Sequence, residues 1–140
     1  MFRVLAPVGR LALAVWRGIE HQPFYSALAD ALERYVSPEA AASLRAAFTL
    51  THADELRALI AGAGFRDIRI RIRSRLTRYP SLPEYVLGYL SGTPMAGAVT
   101  ALDETTRTAM VEYVCSTLRD YVDDDGMAAP WEAHLAIAQV

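Results

Sequence analysis

The sequence predicts a single α/β domain, and three observations carry that expectation. A continuous apolar run from Leu11 to Trp16 reads as a buried strand, and the segment from Ile68 to Leu76 alternates isoleucine with arginine at the period of a strand. The stretches between and after these two place apolar residues at helical spacing. A length of 140 residues suits one domain, and at that size folding buries roughly 68–70% of the surface exposed by the unfolded chain.

Met1 to Leu5 is a short apolar and basic stub, and Pro7-Val8-Gly9 is a turn. Leu11–Trp16 follows with no polar alternation, the pattern of a strand buried on both faces in a parallel sheet. Six apolar residues between Arg10 and Arg17 are too few for a membrane span and short for a signal peptide. From Pro23 to Val36, residues Phe24, Tyr25, Leu28, Ala29, Leu32 and Tyr35 form a helical stripe. Ser37-Pro38-Glu39 restarts the chain into a short alanine-rich helix through Ala46. Thr51 is the expected cap of a third helix, with Leu56, Leu59 and Ile60 on one side and Gly64 as its left-handed stop.

In the second strand, Ile68, Ile70 and Ile72 share one face, and Arg69, Arg71, Arg73 and Arg75 the other. Ser81 and Glu84 make a capping box, with Pro83 in the first turn of a helix carrying Tyr85, Val86, Tyr89 and Leu90. A last helix is expected from Asp103 to Val122, ended by the acidic run Asp123–Asp125, which opposes the helix dipole. A third strand from Trp131 to Val140 closes the chain. The expectation is therefore three strands, about 11–16, 68–76 and 131–140, with about five helices in one domain over 1–140. Residues 77–130 form a helical insertion before the last strand.

Composition narrows the function classes. A formal charge of −2 gives no global positive field for nucleic acid, and no apolar segment suits a membrane. One cysteine, Cys115, excludes an internal disulfide and a thiolate-rich zinc site, and fits a reducing, cytoplasmic compartment. All fourteen basic residues are arginine, so a lysine Schiff base, a lysine general base and a phosphate-loop lysine are excluded. The three histidines lack metal-ligand spacing, and Asp123–Asp125 lacks the alternating ligands and closing glutamate of a calcium loop, so no metal is expected.

Individual side chains then carry paired readings. The arginine row suits an anionic partner or, as the favoured reading, a solvated edge-strand face whose charges deter unwanted pairing. His21 follows the C-terminal end of the first strand, where open α/β sheets bind ligands, and is either a general base or a surface-loop residue. His52 reads as solvated at a helix start, and His134 as packed within a strand. Tyr85 and Tyr89 at helical spacing suit core packing or a substrate cage, and Cys115 on an apolar stripe suits inert burial.

Beyond these local readings, Leu5-Ala6-Pro7-Val8-Gly9-Arg10-Leu11 resembles the Leu-Arg-Pro-Gly-Gly-Arg-Leu turn before the fifth strand of class I S-adenosylmethionine-dependent methyltransferases. The similarity is to the small-molecule type related to quinone-biosynthesis enzymes. Ala14 to Arg17 is similar to the end of that strand, and Glu55 to Phe65 resembles the helix and Ala-Gly-Phe turn before the sixth. Tyr79 to Gly92 looks like a helical insertion that some members carry, and Trp131 to Ala138 looks like their closing strand. Val8 stands where the family has its first turn glycine, and Ala6 where arginine is frequent. No Gly-x-Gly-x-x-Gly spacing is present, and Gly62 and Gly64 end a helix.

The resemblance implies the C-terminal, substrate-side half of a Rossmann-like methyltransferase sheet, with the closing strand antiparallel and central. It implies S-adenosylmethionine as cofactor, with no cofactor-binding residue in this chain, and a small-molecule acceptor near Trp16, Arg17, Tyr25, Tyr85 and Tyr89, with His21 as the catalytic candidate. The resemblance therefore implies a chain incomplete for catalysis alone, and a non-catalytic small-molecule-binding or dimerisation module, or a piece of a longer enzyme, are its alternatives. It further implies that the Leu11–Trp16 strand has lost a neighbour, leaving an apolar edge that recruits another strand. A two-fold homodimer or a partner chain joined there is expected, the homodimer having a six-stranded sheet.

Overall fold

Two clusters of buried side chains, one among helices and one against a sheet, organise the chain, whose residues 1–140 are all described by a computed structural model. The sheet is built from β1 (Arg10–Trp16), β2 (Arg66–Tyr79), β3 (Val122–Asp123) and β4 (Gly126–Gln139). Its order is β1-β4-β2, with β3 paired to the start of β4, and each pairing is antiparallel. The six α-helices are α1 (Pro23–Tyr35), α2 (Pro38–Arg45), α3 (Ala53–Gly62), α4 (Leu82–Ser91), α5 (Ala96–Thr100) and α6 (Glu104–Thr117).

The fold class is α/β, but the sheet has four strands where three were expected, and there are six α-helices where five were expected. The extra strand comes from the acidic run. Asp123 pairs with Gly126, so Asp124 and Asp125 form a two-residue hairpin turn, and the Asp125 N–H donates to Asp123 Oδ1. Gly126 adopts φ +103°, and a Cβ there would lie 2.2 Å from the Tyr79 carbonyl oxygen, so only glycine fits. Arg78 braces the turn from β2 through Nη1 and Nη2, at 2.5 and 2.9 Å from the Asp123 carboxylate. Helix α6 has already ended at Thr117, followed by a 3-10 turn at Arg119–Tyr121, so the acids do not terminate it.

β4 begins five residues earlier than Trp131 and contains Pro130, which argues against a strand when read alone. Pro130 lies in the stretch of β4 paired only with β2, between the segments paired with β3 and β1. β1 departs from the parallel, doubly buried strand that its apolar run suggests. It pairs antiparallel with β4, the arrangement expected of a central antiparallel closing strand, and its residues alternate between half-buried and exposed, because helices cover only one face of this part of the sheet. Leu11, Leu13 and Val15 pack on that covered face with Ala136, Ala138 and Ile70, under Leu56 and Ile60 of α3.

Local chemistry places the helices. Pro23 and Pro38 occupy first turns, and Ser37 caps α2 by accepting from the Ala40 N–H at 3.2 Å. Ser81 caps α4 through the Glu84 N–H, and Asp103 caps α6 through Thr106. The residue at the N-cap of α3 is His52, not Thr51, and it makes no side-chain cap. Thr51 instead offers its carbonyl oxygen to His134 Nε2 at 3.2 Å. Gly64, at φ +95°, stops α3 as expected. The larger core joins Phe24, Leu28 and Leu32 of α1 to Leu44, Val86, Leu90, Met110 and Val114, with α2 and α6 packed on α1 and α4 packed on α6. No helix is long and apolar enough to cross a membrane.

Candidate functional site

The C-terminal end of β1 gathers most of the side chains singled out from the sequence, in two groups. The first is polar. The Arg17 N–H donates to the Glu132 carbonyl at 3.1 Å, extending the β1–β4 ladder by one residue. The Arg17 guanidinium forms an ion pair with Glu132 through Nη1 and approaches His21 Nε2 through Nη2 at 2.8 Å. A guanidinium only donates, so His21 Nε2 is the acceptor. The lone pair that a general base would use at this nitrogen is therefore already engaged. Glu20 Oε1 lies 3.4 Å from the same nitrogen.

Beneath this group, Gln22 is fully buried and replaces a strand neighbour. Its Nε2 donates to the Glu132 carbonyl at 2.5 Å, and its Oε1 accepts from the Glu132 N–H at 3.2 Å. Both halves of the amide are used on one residue of β4, which offsets the cost of burying it. The 3-10 turn Ile19–His21 and the start of α1 are thereby fixed to the sheet. Glu132 and Gln22 were not foreseen as part of a site, since they lie 110 residues apart and no local period links them.

The second group is aromatic. Trp16 and Trp131 meet edge to face at 5.4 Å between centroids, Trp131 meets Tyr25 at 5.1 Å, and Tyr25 meets Tyr89 at 5.4 Å. Tyr85 stacks on Tyr79 at 3.5 Å and tilts against Phe24 at 4.7 Å. Burial is the main cause that pushes the Tyr25 hydroxyl well above the usual tyrosine range, and Tyr89 adds to it. Burial likewise raises Tyr85, with a hydrogen bond to Tyr79 second, and burial raises Tyr89. Each hydroxyl is thus held neutral. Trp131 Nε1 is buried without an acceptor among the protein groups.

Trp16 connects these rings to an open groove of about 390 Å³, lined by Ala14, Val15, Trp16, Leu50 and Ala133 with Ala47 and Thr49. A second groove of about 350 Å³ runs along the other side of β1, between Leu11, Leu13 and Val15 and the α3 residues Leu56, Leu59 and Ile60. The sequence-derived candidates therefore divide. Arg17 and His21 are tied to Glu132, Tyr25 belongs to the helical core with Tyr85 and Tyr89 packed against it, and Trp16 alone of the six lines the larger-scale opening at the β1 edge.

Of the remaining residues, His134 is 1% exposed on the covered sheet face, and burial first, then Glu112, raises the Cys115 thiol above its ordinary value. Arg69, Arg71, Arg73 and Arg75 are exposed. No three His, Cys, Asp or Glu side chains come together in a way that suits a metal ion. No protein-family model matches this chain, and a search among curated proteins finds no relative.

Proposed function

We propose that this chain is the substrate-side half of an S-adenosylmethionine-dependent small-molecule methyltransferase, incomplete for catalysis alone. The observation that carries the reading is the strand order. β4 lies antiparallel between β1 and β2, the arrangement expected of the fifth, seventh and sixth strands of such an enzyme. The groove at Trp16, with Trp131 behind it, offers an aromatic wall to a flat acceptor at the C-terminal end of β1. Arg17, locked by Glu132 and His21, is a positioning group beside it.

The residues present do not fit the cofactor. Gly18 is the glycine that follows β1, and the Glu20 carboxylate fills the space beside its Cα, so no open glycine loop faces a ligand there. No step of methyl transfer is assigned to this chain's residues. A second reading, a non-catalytic dimerisation module descended from such an enzyme, is favoured by the unpaired outer edge of β1 and its flanking apolar grooves. The first reading puts the missing half at the Leu11–Trp16 edge, or a second copy in its place, and the second reading puts a two-fold partner strand there.

Two titrations of the purified chain separate the readings. Calorimetry with S-adenosylhomocysteine is expected to give no heat, whereas quenching of Trp16 and Trp131 fluorescence by a substituted hydroquinone is expected to saturate and to weaken in Trp16→Ala. Micromolar binding of S-adenosylhomocysteine would overturn the incomplete half in favour of a self-sufficient enzyme. Absence of hydroquinone quenching in a folded sample would overturn the acceptor site and leave the dimerisation module.

A further inference from the structure

The sheet face opposite α3 is bare around Leu135 and Ile137, where β4 runs between β1 and the start of β2, and its side chains are sorted by chemistry. Paired residues of antiparallel strands point to the same face. Crossing from β1 through β4 to β2, one row is Ala12, Ile137 and Arg69, and the next is Ala14, Leu135 and Arg71. The row after that is Trp16, Ala133 and Arg73. The helical core covers this face only lower down, at Met127, Ala129 and Trp131. Above it, Leu135 and Ile137 remain 41% and 53% exposed although they belong to the central strand. One side of the face is thus aliphatic, with Trp16 at its end, and the other is a line of arginines.

Arg69, Arg71, Arg73 and Arg75 form no ion pair in the chain, and these rows contain no acidic residue. We infer that this face docks an amphipathic helix of another protein, with its apolar stripe on Leu135 and Ile137 and a line of glutamates or aspartates against the arginine row. Charge and spacing select this occupant. Alternate strand residues lie about 6.6–6.8 Å apart, so Arg69 to Arg75 spans roughly 20 Å. A helix of about 13 residues has that length, and its i, i+4 positions rise by about 6 Å, which brings one acid to each arginine.

A second copy of this chain is the poorer occupant, because face-to-face stacking would bury two arginine rows with no acid on either surface. A nucleic-acid strand would satisfy the arginines, with Trp16 and Trp131 at one end of the face, but would leave Leu135, Ile137, Ala12 and Ala14 wet. The inference stands on this surface alone and does not rest on the methyltransferase reading.

The test uses the whole chain and a fluorescein-labelled 14-residue helical peptide with a leucine stripe flanked by glutamates at i, i+4, i+8 and i+12. Its controls are the same peptide with lysine at those four positions and a labelled oligouridine. In anisotropy titrations at 50 mM salt, the glutamate peptide is expected to bind at least tenfold more tightly than the lysine peptide. The double change Arg71→Gln with Arg73→Gln, and separately Ile137→Ser, should each weaken it several-fold while leaving the circular dichroism spectrum unchanged. Equal binding of the two peptides by the unmutated chain would overturn the charge argument whatever the variants do. Oligouridine binding that exceeds the glutamate peptide and is indifferent to Ile137→Ser would overturn the helix in favour of nucleic acid.

Discussion

Val8 is a β-branched residue in the left-handed region, at φ +62°, and it is almost fully exposed, so nothing packs against it to offset the strain. The left-handed conformation costs an L-residue about 1–2 kcal/mol, and glycine loses about 0.5–1 kcal/mol of that advantage through its freer unfolded state. Val8→Gly is therefore expected to stabilise the chain by about 0.5–1 kcal/mol, raising Tm by roughly 2–4 °C in a calorimetric scan. An unchanged or lower Tm would mean that the turn does not hold Val8 as described. The position was legible in the sequence, since Val8 stands where the resembling turn carries glycine. His21 was legible only in part. Its place after β1 was foreseen, but its engagement by Arg17 depends on Glu132, which lies 115 residues from Arg17 and gives no local signal.

At the scale of elements, Tyr25 of α1 with Tyr85 and Tyr89 of α4 make a pH-dependent unit. Their folded-state values lie above the ordinary tyrosine value of about 10, so the folded chain keeps protons that the unfolded chain loses first. The stabilisation is complete below that unfolded value and is lost as pH rises from about 10 toward the folded values. The urea midpoint is expected to be lower at pH 11 than at pH 9, with a smaller drop in Tyr25→Phe. Absorbance titrations at 295 nm of folded wild type and folded Tyr25→Phe should superimpose up to pH 11, and an extra ionisation in the wild type near pH 10 would contradict the neutral, buried hydroxyl. The helical stripes that built this cluster were readable because burial repeats every 3.6 residues. The hairpin at Asp124-Asp125 was not, because acidic runs and glycine serve both helix ends and turns, and the deciding contacts come from Tyr79 and Arg78 far upstream. Similarly, Pro130 masked the first third of β4, since only the pairing pattern shows where the missing N–H is tolerated.

At the scale of the whole molecule, local periodicity identifies strands but not their order, because a strand's neighbours are chosen by contacts remote in sequence. The resemblance supplied an expectation of order that left Leu11–Trp16 at an edge, whereas the run itself was read as buried on both faces, because which face a remote helix covers leaves no mark on a continuous apolar run. That edge position generates the last prediction. The outer side of β1 offers backbone groups without a strand partner, flanked by two apolar grooves that share Val15 and Leu50. A second β1 laid antiparallel across a two-fold axis would pair those groups and bring Leu11, Leu13 and Val15 of both copies together, without placing either arginine row in the interface. Light scattering after size exclusion at micromolar concentration should give a mass near twice 15.4 kDa. Ala14→Lys, which sets a charge on the exposed side of that edge, should shift the mass to one copy without altering the circular dichroism spectrum. A wild-type chain that runs as a monomer across this range would sink the edge-paired dimer, while leaving the docking of an acidic helix on the adjacent face to be decided by its own titration.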